Sequence, residues 1–365
     1  METGDSSHAA TAAGVWRACD ASANRAGEAL RVIEDALRFM RDDAFLSQTA
    51  KNLRHDLASL LRQGDFATRS ALRDVAGDVG LGSRAEAVLP RGTVADILAA
   101  NAARAAQALR SLEECTAMVA PAAVTAFERL RYRVYALERA ALTAVRAAER
   151  LRDVTLCVLV DGRRDAAAFS SLVESLFTVG VRMIQIRDKN LPVPTLVERA
   201  RAALEIARRR AHDTAAPPPL VVVNDRADVA AALAADGVHT GADDLPTPLV
   251  RRVVGPQAIL GRTAHTLAEA REAVLDGADY LGVGPCFPSP TKAFATHAPP
   301  GFLHAVAAEI GLPTFAIGGI TLDRLDAVAA CGLRRVAVAS AVVAAADPAA
   351  AARAFIARLE SLPTP

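Results

Sequence analysis

The stretch Gln185-Ile186-Arg187-Asp188-Lys189 ends an apolar run, Val181 to Ile186, that reads as a buried strand. Four further apolar runs end in polar or glycine residues. Asn224-Asp225 follows Val221-Val222-Val223, and Thr263 and His265 follow Ile259-Leu260. Thr291-Lys292 comes after Tyr280-Leu281-Gly282-Val283-Gly284, and Gly318-Gly319 after Phe315-Ala316-Ile317. Taken singly, an Asn-Asp pair is more often a turn or helix cap, a Gly-Gly pair a tight turn, and an Arg or Lys a solvated loop residue. Recurring at the carboxyl ends of successive strands, these residues match the active-site face of an eight-stranded α/β barrel.

Working outward, strand-like runs lie near 154–160, 181–187, 220–223, 237–239, 258–262, 279–283, 313–317 and 335–339, with helix-like segments between them. Near-continuous apolar strands alternating with helices predict a parallel sheet covered on both faces. Eight such units suit a closed (βα)8 TIM barrel over residues 151–365 better than the alternative, an open doubly wound sheet. Residues 16–150 show helical periodicity only. Ala29, Leu30, Ile33, Leu37 and Met40 make one apolar stripe, and Leu130, Val134, Leu137, Ala141 and Val145 another. The expected architecture is therefore α/β, an all-α helical domain followed by the barrel, with no Pro/Gly-rich linker between them.

The helical half repeats itself. Asn24-Arg25-Ala26-Gly27-Glu28-Ala29-Leu30-Arg31-Val32-Ile33-Glu34-Asp35 matches Ala103-Arg104-Ala105-Ala106-Gln107-Ala108-Leu109-Arg110-Ser111-Leu112-Glu113-Glu114, which suggests an internally pseudo-symmetric bundle. Between the copies, Arg69 to Gly80 reads as a charged, glycine-containing loop.

With 365 residues the chain is too long for one small domain. Lys and Arg number 42 against 41 Asp and Glu, so no bulk basic field suits nucleic acid or an anionic membrane surface. No apolar run approaches the ~20 residues of a membrane span. Residues 1–15 are small and polar, lack a signal-peptide apolar core, and are expected to be a disordered tail. The cysteines (Cys19, Cys115, Cys157, Cys286, Cys331) are scattered without a Cys-x-x-Cys pair, which predicts core residues in a reducing cytoplasm.

The mouth chemistry follows from its charges. Asp225 closes the third strand and Asp243-Asp244 follow the fourth. Two carboxylates on neighbouring strand ends suit one Mg²⁺, which prefers hard oxygens and keeps waters for a substrate's phosphates. Arg187, Lys189 and Lys292 bring three cations to the same end, and with Mg²⁺ that is more charge than a phosphate monoester needs and suited to a departing diphosphate. Thr291, Gly318 and the Ala339-Ser340 backbone follow the last three strands, where such barrels bind phosphate. No histidine, cysteine or serine stands in a nucleophile–base arrangement, and His239 and His265 read as packed or hydrogen-bonded strand-end residues. The expected reaction is leaving-group departure aided by charge neutralisation.

Several segments resemble the thiamine-phosphate synthase family across residues 154 to 360. They are Gln185 to Lys189, Val223-Asn224-Asp225-Arg226, Asp236 to Asp244, Gly284 to Lys292 and Ala316-Ile317-Gly318-Gly319-Ile320. The resemblance implies a barrel joining hydroxymethylpyrimidine diphosphate to thiazole phosphate, an alkyl transfer that begins with ionisation at the pyrimidine methylene. It implies that Gln185, Ile186, Arg187, Asp188, Lys189, Asn224, Thr263 and Lys292 contact the pyrimidine diphosphate, with Arg187, Lys189 and Lys292 catalytic. Asp225 and Asp244 would hold Mg²⁺. Ser289, Pro290, Thr291, Gly318, Ala339 and Ser340 would hold the thiazole phosphate. Three positions depart from the family pattern: Thr263 for a usual Ser, Arg262 where a small or apolar residue is usual, and Ser289 for a common Thr.

Residues 16 to 150 resemble a helical domain fused ahead of some members and associated with hydroxymethylpyrimidine-phosphate kinase activity, for which ATP would be the co-substrate. Asn24, Arg25, Arg31, Arg54, His55, Arg73 and Asp78 are its candidate polar residues. There is no Walker A loop, and a non-catalytic docking or dimerisation module is the competing reading. For the barrel the alternatives are a thiazole tautomerase, which needs neither metal nor diphosphate cations, and a non-catalytic thiazole-phosphate-binding regulator. The expected partners are small pyrimidine and thiazole phosphates, and a homo-oligomer is compatible with either domain reading.

Overall fold

The computed structural model describes residues 3–73, 91–214, 216–288 and 298–362. The chain divides into two compact units, Met1–Val145 and Arg146–Pro365. The division falls inside a helix, five residues before the boundary expected at 150.

The first unit is all helical: α1 (Thr3–Asp35), α2 (Ala44–Leu60), α3 (Val94–Val119) and α4 (Val124–Arg150). The tail expected over residues 1–15 is helical from Thr3, as part of α1. Ala9, Ala10, Ala12 and Ala13 are strong helix formers, and no proline interrupts them. Thr93 and Asp96 form a reciprocal capping box that starts α3. The first apolar stripe is buried at Ala29, Leu30, Ile33 and Leu37, but Met40 is 54% exposed. A π turn over Ala36–Met40 widens the helix and rotates its last residues off the stripe. The second stripe is buried throughout. Arg69 to Leu72, read as loop, close a 3-10 segment, Gly64–Leu72; residues 74–80 lie outside the described residues.

The second unit is a closed parallel barrel, β1 to β8 in sequence order, which excludes the open-sheet alternative. Its strands are β1 (Leu156–Val160), β2 (Met183–Ile186), β3 (Leu220–Asn224), β4 (Gly237–Thr240), β5 (Ile259–Ala264), β6 (Tyr280–Val283), β7 (Thr314–Ile317) and β8 (Arg335–Val338). Closure is made where Cys157 of β1 pairs with Ala337 of β8. Period-two alternation sends Cys157, Leu159, Met183, Val222, Ile259, Tyr280 and Phe315 into one interior cluster, with Leu151 and Val154 joining it. All five residues of β1 and all four of β2 are buried, as strands covered on both faces must be.

Asp279 staples the unit before β6. It is 1% exposed. It accepts hydrogen bonds from the Leu260 amide at 2.9 Å and from Arg146 at 3.0 Å, and it pairs with Arg251 of the helix Thr247–Val254. Asp279→Ala would leave the buried Leu260 amide without its side-chain acceptor and remove the carboxylate shared by two part-buried guanidiniums. The expected loss is about 3–5 kcal/mol by urea unfolding; a loss below about 1 kcal/mol would show that the cluster is not a structural anchor.

Candidate active site at the barrel mouth

Loops at the carboxyl ends of the strands enclose a cavity of about 560 Å³. Gln185 points into it from β2, with Arg187 and Lys189 just beyond the strand. Asn224 ends β3, and Asp225 follows it in a left-handed backbone conformation with φ 60°. The loop after β4 brings Asp243 and Asp244, β5 brings Thr263, and the β7 and β8 ends bring Gly318, Ala339 and Ser340. One cavity thus gathers cations, carboxylates, amides and a backbone cradle predicted from widely separated segments.

Two predicted contacts do not line it. Ile186 is 1% exposed and does not border the cavity, because its neighbour Gln185 faces inward and alternate strand residues point oppositely. Asp188 accepts from the amides of Gly162 at 3.2 Å and Asn190 at 3.0 Å, so it ties the β1 and β2 loops together. Ser289, Pro290, Thr291 and Lys292 lie outside the described residues.

Beneath the mouth runs a buried chain of side chains. The Tyr280 hydroxyl lies 3.1 Å from Nδ1 of His239, and Nε2 of His239 lies 3.0 Å from Oγ1 of Thr263. Tyr280 is also hydrogen-bonded to Gln185. Two predicted substrate contacts are therefore held from below by one imidazole and one phenol. The rings fit because the opposing positions are glycine. A Cβ on Gly261 would stand 2.1 Å from the Tyr280 ring and 2.4 Å from Nδ1 of His239. Burial, then the cations Arg187 and Arg262, push the His239 imidazole down to about 4, so it is neutral near pH 7.

His265 also borders the cavity, and its Nδ1 lies 2.6 Å from the Gly284 carbonyl. A carbonyl only accepts, so Nδ1 carries the proton. Both histidines are hydrogen-bonded as expected. The place of His265 at the mouth follows from its position after a strand, whereas His239 as a cavity residue was not expected, since a lone strand histidine carries no sequence signal for it. Arg324 was missed entirely. It borders the cavity at the β7 end, donates to the Gly319 carbonyl at 2.6 Å, and stacks 5.1 Å from the Phe287 ring centroid. Nothing in the run Thr321-Leu322-Asp323-Arg324 distinguishes it from a solvated turn.

The two acidic residues face each other. The carboxyl of Asp225 stands close enough to that of Asp244 to hydrogen-bond when one of them is protonated, and Oδ2 of Asp244 accepts from the Gly241 amide at 2.7 Å. Burial first, then Asp244, push Asp225 up to about 6, with Lys189 and Arg187 opposing. Two crowded carboxyls that repel when ionised form a hard-oxygen donor pair that fits a divalent cation. Among the described residues no group of three or more His, Cys, Asp or Glu is arranged for a metal. Any cation here would therefore take its remaining ligands from water and substrate.

Arg262, one of the three departures from the family pattern, reaches this pair from behind. Its guanidinium donates to Thr240 Oγ1 at 3.2 Å, to the Ala242 carbonyl at 3.2 Å and to the Leu245 carbonyl at 3.1 Å. These three bonds bracket Asp243 and Asp244. In the helical unit, Arg31 pairs with Asp35, Arg54 with the buried Glu34, and Arg73 with Asp20. Asn24 donates to Asp20 at 3.5 Å. His55 is exposed, and Asp78 lies outside the described residues.

Two family models match the chain. One, described as thiamine monophosphate synthase, covers residues 156–342, and the other, the ThiD2 family, covers residues 17–140. A thiamine-phosphate synthase of Rhodopirellula baltica is 37% identical over 339 residues, 90% of this chain and 88% of that protein. One of Gloeobacter violaceus is 38% identical over 347 residues, 94% and 97% of the two chains. Among solved structures, the thiamine phosphate pyrophosphorylase from Pyrococcus furiosus superposes with a TM-score of 0.50 at 32% identity, over 59% of this chain and all of its own.

His239 and Asp225 contribute to pH dependence with opposite signs. The depressed histidine stabilises the fold fully above pH 6.5, and that contribution is lost as pH falls through about 4. The raised carboxyl contributes stability fully present below pH 3.8 and lost as pH rises through about 6. Asp225→Asn is therefore expected to raise the unfolding temperature of metal-free protein at pH 7–8. By NMR, the His239 ring is expected to stay neutral down to about pH 5. Titration of that ring near 6.5 would refute the buried network.

Proposed function

This chain belongs to the thiamine monophosphate synthase family, and on that premise we propose how its residues carry the reaction. The barrel joins 4-amino-2-methyl-5-(diphosphooxymethyl)pyrimidine to 4-methyl-5-(2-phosphoethyl)thiazole, or to its 2-carboxy form. The bond from the pyrimidine methylene to the diphosphate oxygen breaks, and the thiazole nitrogen supplies the electron pair for the new bond. Thiamine phosphate and diphosphate leave, and with the 2-carboxy form carbon dioxide leaves as well.

The observation that carries this reading is the two-ended charge layout of one cavity. Arg187, Lys189 and the Asp225–Asp244 pair stand at the β2–β4 ends, while Gly318, Ala339 and Ser340 stand at the β7–β8 ends. Arg187 and Lys189 neutralise the diphosphate, the first with a planar fork and the second as a point charge. Gln185 and Asn224 offer amides to the pyrimidine ring from inward-facing positions. Thr263, fixed by neutral His239, presents its hydroxyl without adding positive charge that would oppose a cationic methylene. Gly318, with φ 97°, leaves the cradle open; a Cβ there would lie 2.7 Å from that of Pro285. Held by Asp225 and Asp244, Mg²⁺ would supply further neutralisation of the departing diphosphate.

We assign the helical unit, supported by its ThiD2 match, to phosphorylation of the pyrimidine monophosphate with ATP. Full-length protein given pyrimidine monophosphate, ATP, Mg²⁺ and thiazole phosphate is expected to form thiamine phosphate. Product from the diphosphate but none from the monophosphate would leave the helical unit as a docking module.

Two substitutions test the barrel. Asp225→Asn is expected to lower turnover about 10²-fold or more, unrescued by excess Mg²⁺; near-normal rates would remove the metal assignment. Arg262→Ala frees the segment that carries Asp244. The expected result is a several-fold rise in the Mg²⁺ concentration needed for half-maximal rate, on the order of 1 kcal/mol of lost positioning, with KM for thiazole phosphate unchanged. A change in the thiazole parameter alone would refute the clamp.

A further inference from the structure

The helical unit holds a second cavity, of about 490 Å³, between α1 and α3. That volume is in the range of small-molecule sites. Its lining follows the internal repeat. Each α1 residue bordering the cavity has its α3 counterpart bordering it too, always at the spacing that separates Arg25 from Arg104. The cavity therefore sits on the pseudo-twofold relation between the repeats. The same relation governs the ion pairs outside it. Buried Glu34 takes Arg54 and Arg31, and buried Glu113 takes Arg131 and Arg110.

Within the cavity the repeated arginines differ from those neighbours. Arg31 and Arg110 are spent on carboxylates, whereas no described residue pairs with Arg25 or Arg104. Two exposed guanidiniums without a described partner border one cavity, which favours an anion between them, with the Glu28 carboxylate on the same lining opposing it. Two positions are identical across the relation, the arginines and the small Ala29 and Ala108. The other three differ: Ser22 against Asn101, Glu28 against Gln107, and Val32 against Ser111. Ser22 and Ser111 are hydrogen-bonded at 2.9 Å. Asn101 is 2% exposed and donates to the Ile97 carbonyl at 2.8 Å. An identical cation pair matches a ligand part with equivalent oxygens. The unlike polar lining matches a part with distinct donors and acceptors.

We propose that this cavity binds a phosphate monoester of a small hydrogen-bonding ring, with Arg25 and Arg104 on the phosphate and the unlike positions around the ring. The choice of probe rests on the pyrimidine-phosphate assignment of the helical unit. Binding itself does not require phosphoryl transfer, so the test contains no ATP. Full-length protein is treated with phenylglyoxal, and modification of each arginine is followed by peptide mass spectrometry. The probes are the pyrimidine monophosphate and, at equal concentration, inorganic phosphate. The pyrimidine monophosphate is expected to slow modification of Arg25 and Arg104 but not of Arg31 or Arg110, and inorganic phosphate to protect less. Equal modification with and without the ester would overturn the site. Equal protection by inorganic phosphate would overturn the ring assignment. The double substitution Arg25→Gln/Arg104→Gln is expected to weaken ester binding about tenfold or more for each charge-assisted hydrogen bond removed. The barrel's condensation of the diphosphate with thiazole phosphate should stay at the wild-type rate. Undiminished ester binding by that protein in the helical unit would equally overturn the proposal.

Discussion

Interior volume is the constraint on which the active end of this barrel depends. Eight closed strands leave room for side chains from alternate positions only, and one large ring displaces its neighbours' side chains. Here two rings, His239 and Tyr280, share a level with centroids 5.4 Å apart. Glycine at 261 and 282 makes that level possible, since a Cβ at 282 would already approach the His239 ring to 3.2 Å. The ring pair in turn fixes Gln185 and Thr263, which form part of the floor on which a substrate would rest. The chemistry above is thus set by which residues below are absent.

That dependence explains what was legible in the sequence. The strands could be read because burial on both faces demands unbroken apolar runs, and Val221-Val222-Val223 admits few other meanings. Arg187, Lys189, Asp225 and Asp244 could be read because charged residues recur after successive runs, not because any one of them is unusual there. Ile186 and Asp188 do not border the cavity, because a contiguous motif crosses the period of two and runs past the strand end. Ile186 belongs to the outer layer, and Asp188 to a loop tie. His239 and Arg324 were not legible as cavity residues. Their roles come from partners 41 and 5 positions away, a tyrosine and a glycine carbonyl, which no local pattern announces.

Arg262 shows how a departure from a pattern can be read structurally. On a strand neighbour of β4, its side chain reaches back over the preceding loop and spans both sides of the acidic pair. A small residue there would leave the loop's carbonyls to water. The guanidinium trades that hydration for a fixed geometry, and it also adds positive potential near His239, reinforcing the neutral ring. One side chain therefore acts on a metal-type donor and on a buried base through different physics, hydrogen bonding in one case and a longer-range field in the other.

The repeat in the helical unit has a consequence for how such a cavity could arise. If an α1–α2 hairpin paired with a second copy of itself about a true twofold, both copies would present the Arg25 position to the shared cleft. A complete cation pair would then exist without any second gene segment. Such a self-paired hairpin could not distinguish the two ends of an asymmetric molecule, because every polar group would be duplicated. Joining two copies in one chain removes that restriction and lets each half change alone. The substitutions separating Ser22 from Asn101 and Glu28 from Gln107 are the kind of change that only a tandem arrangement permits. Charge is shared by both copies, while discrimination belongs to the differences between them.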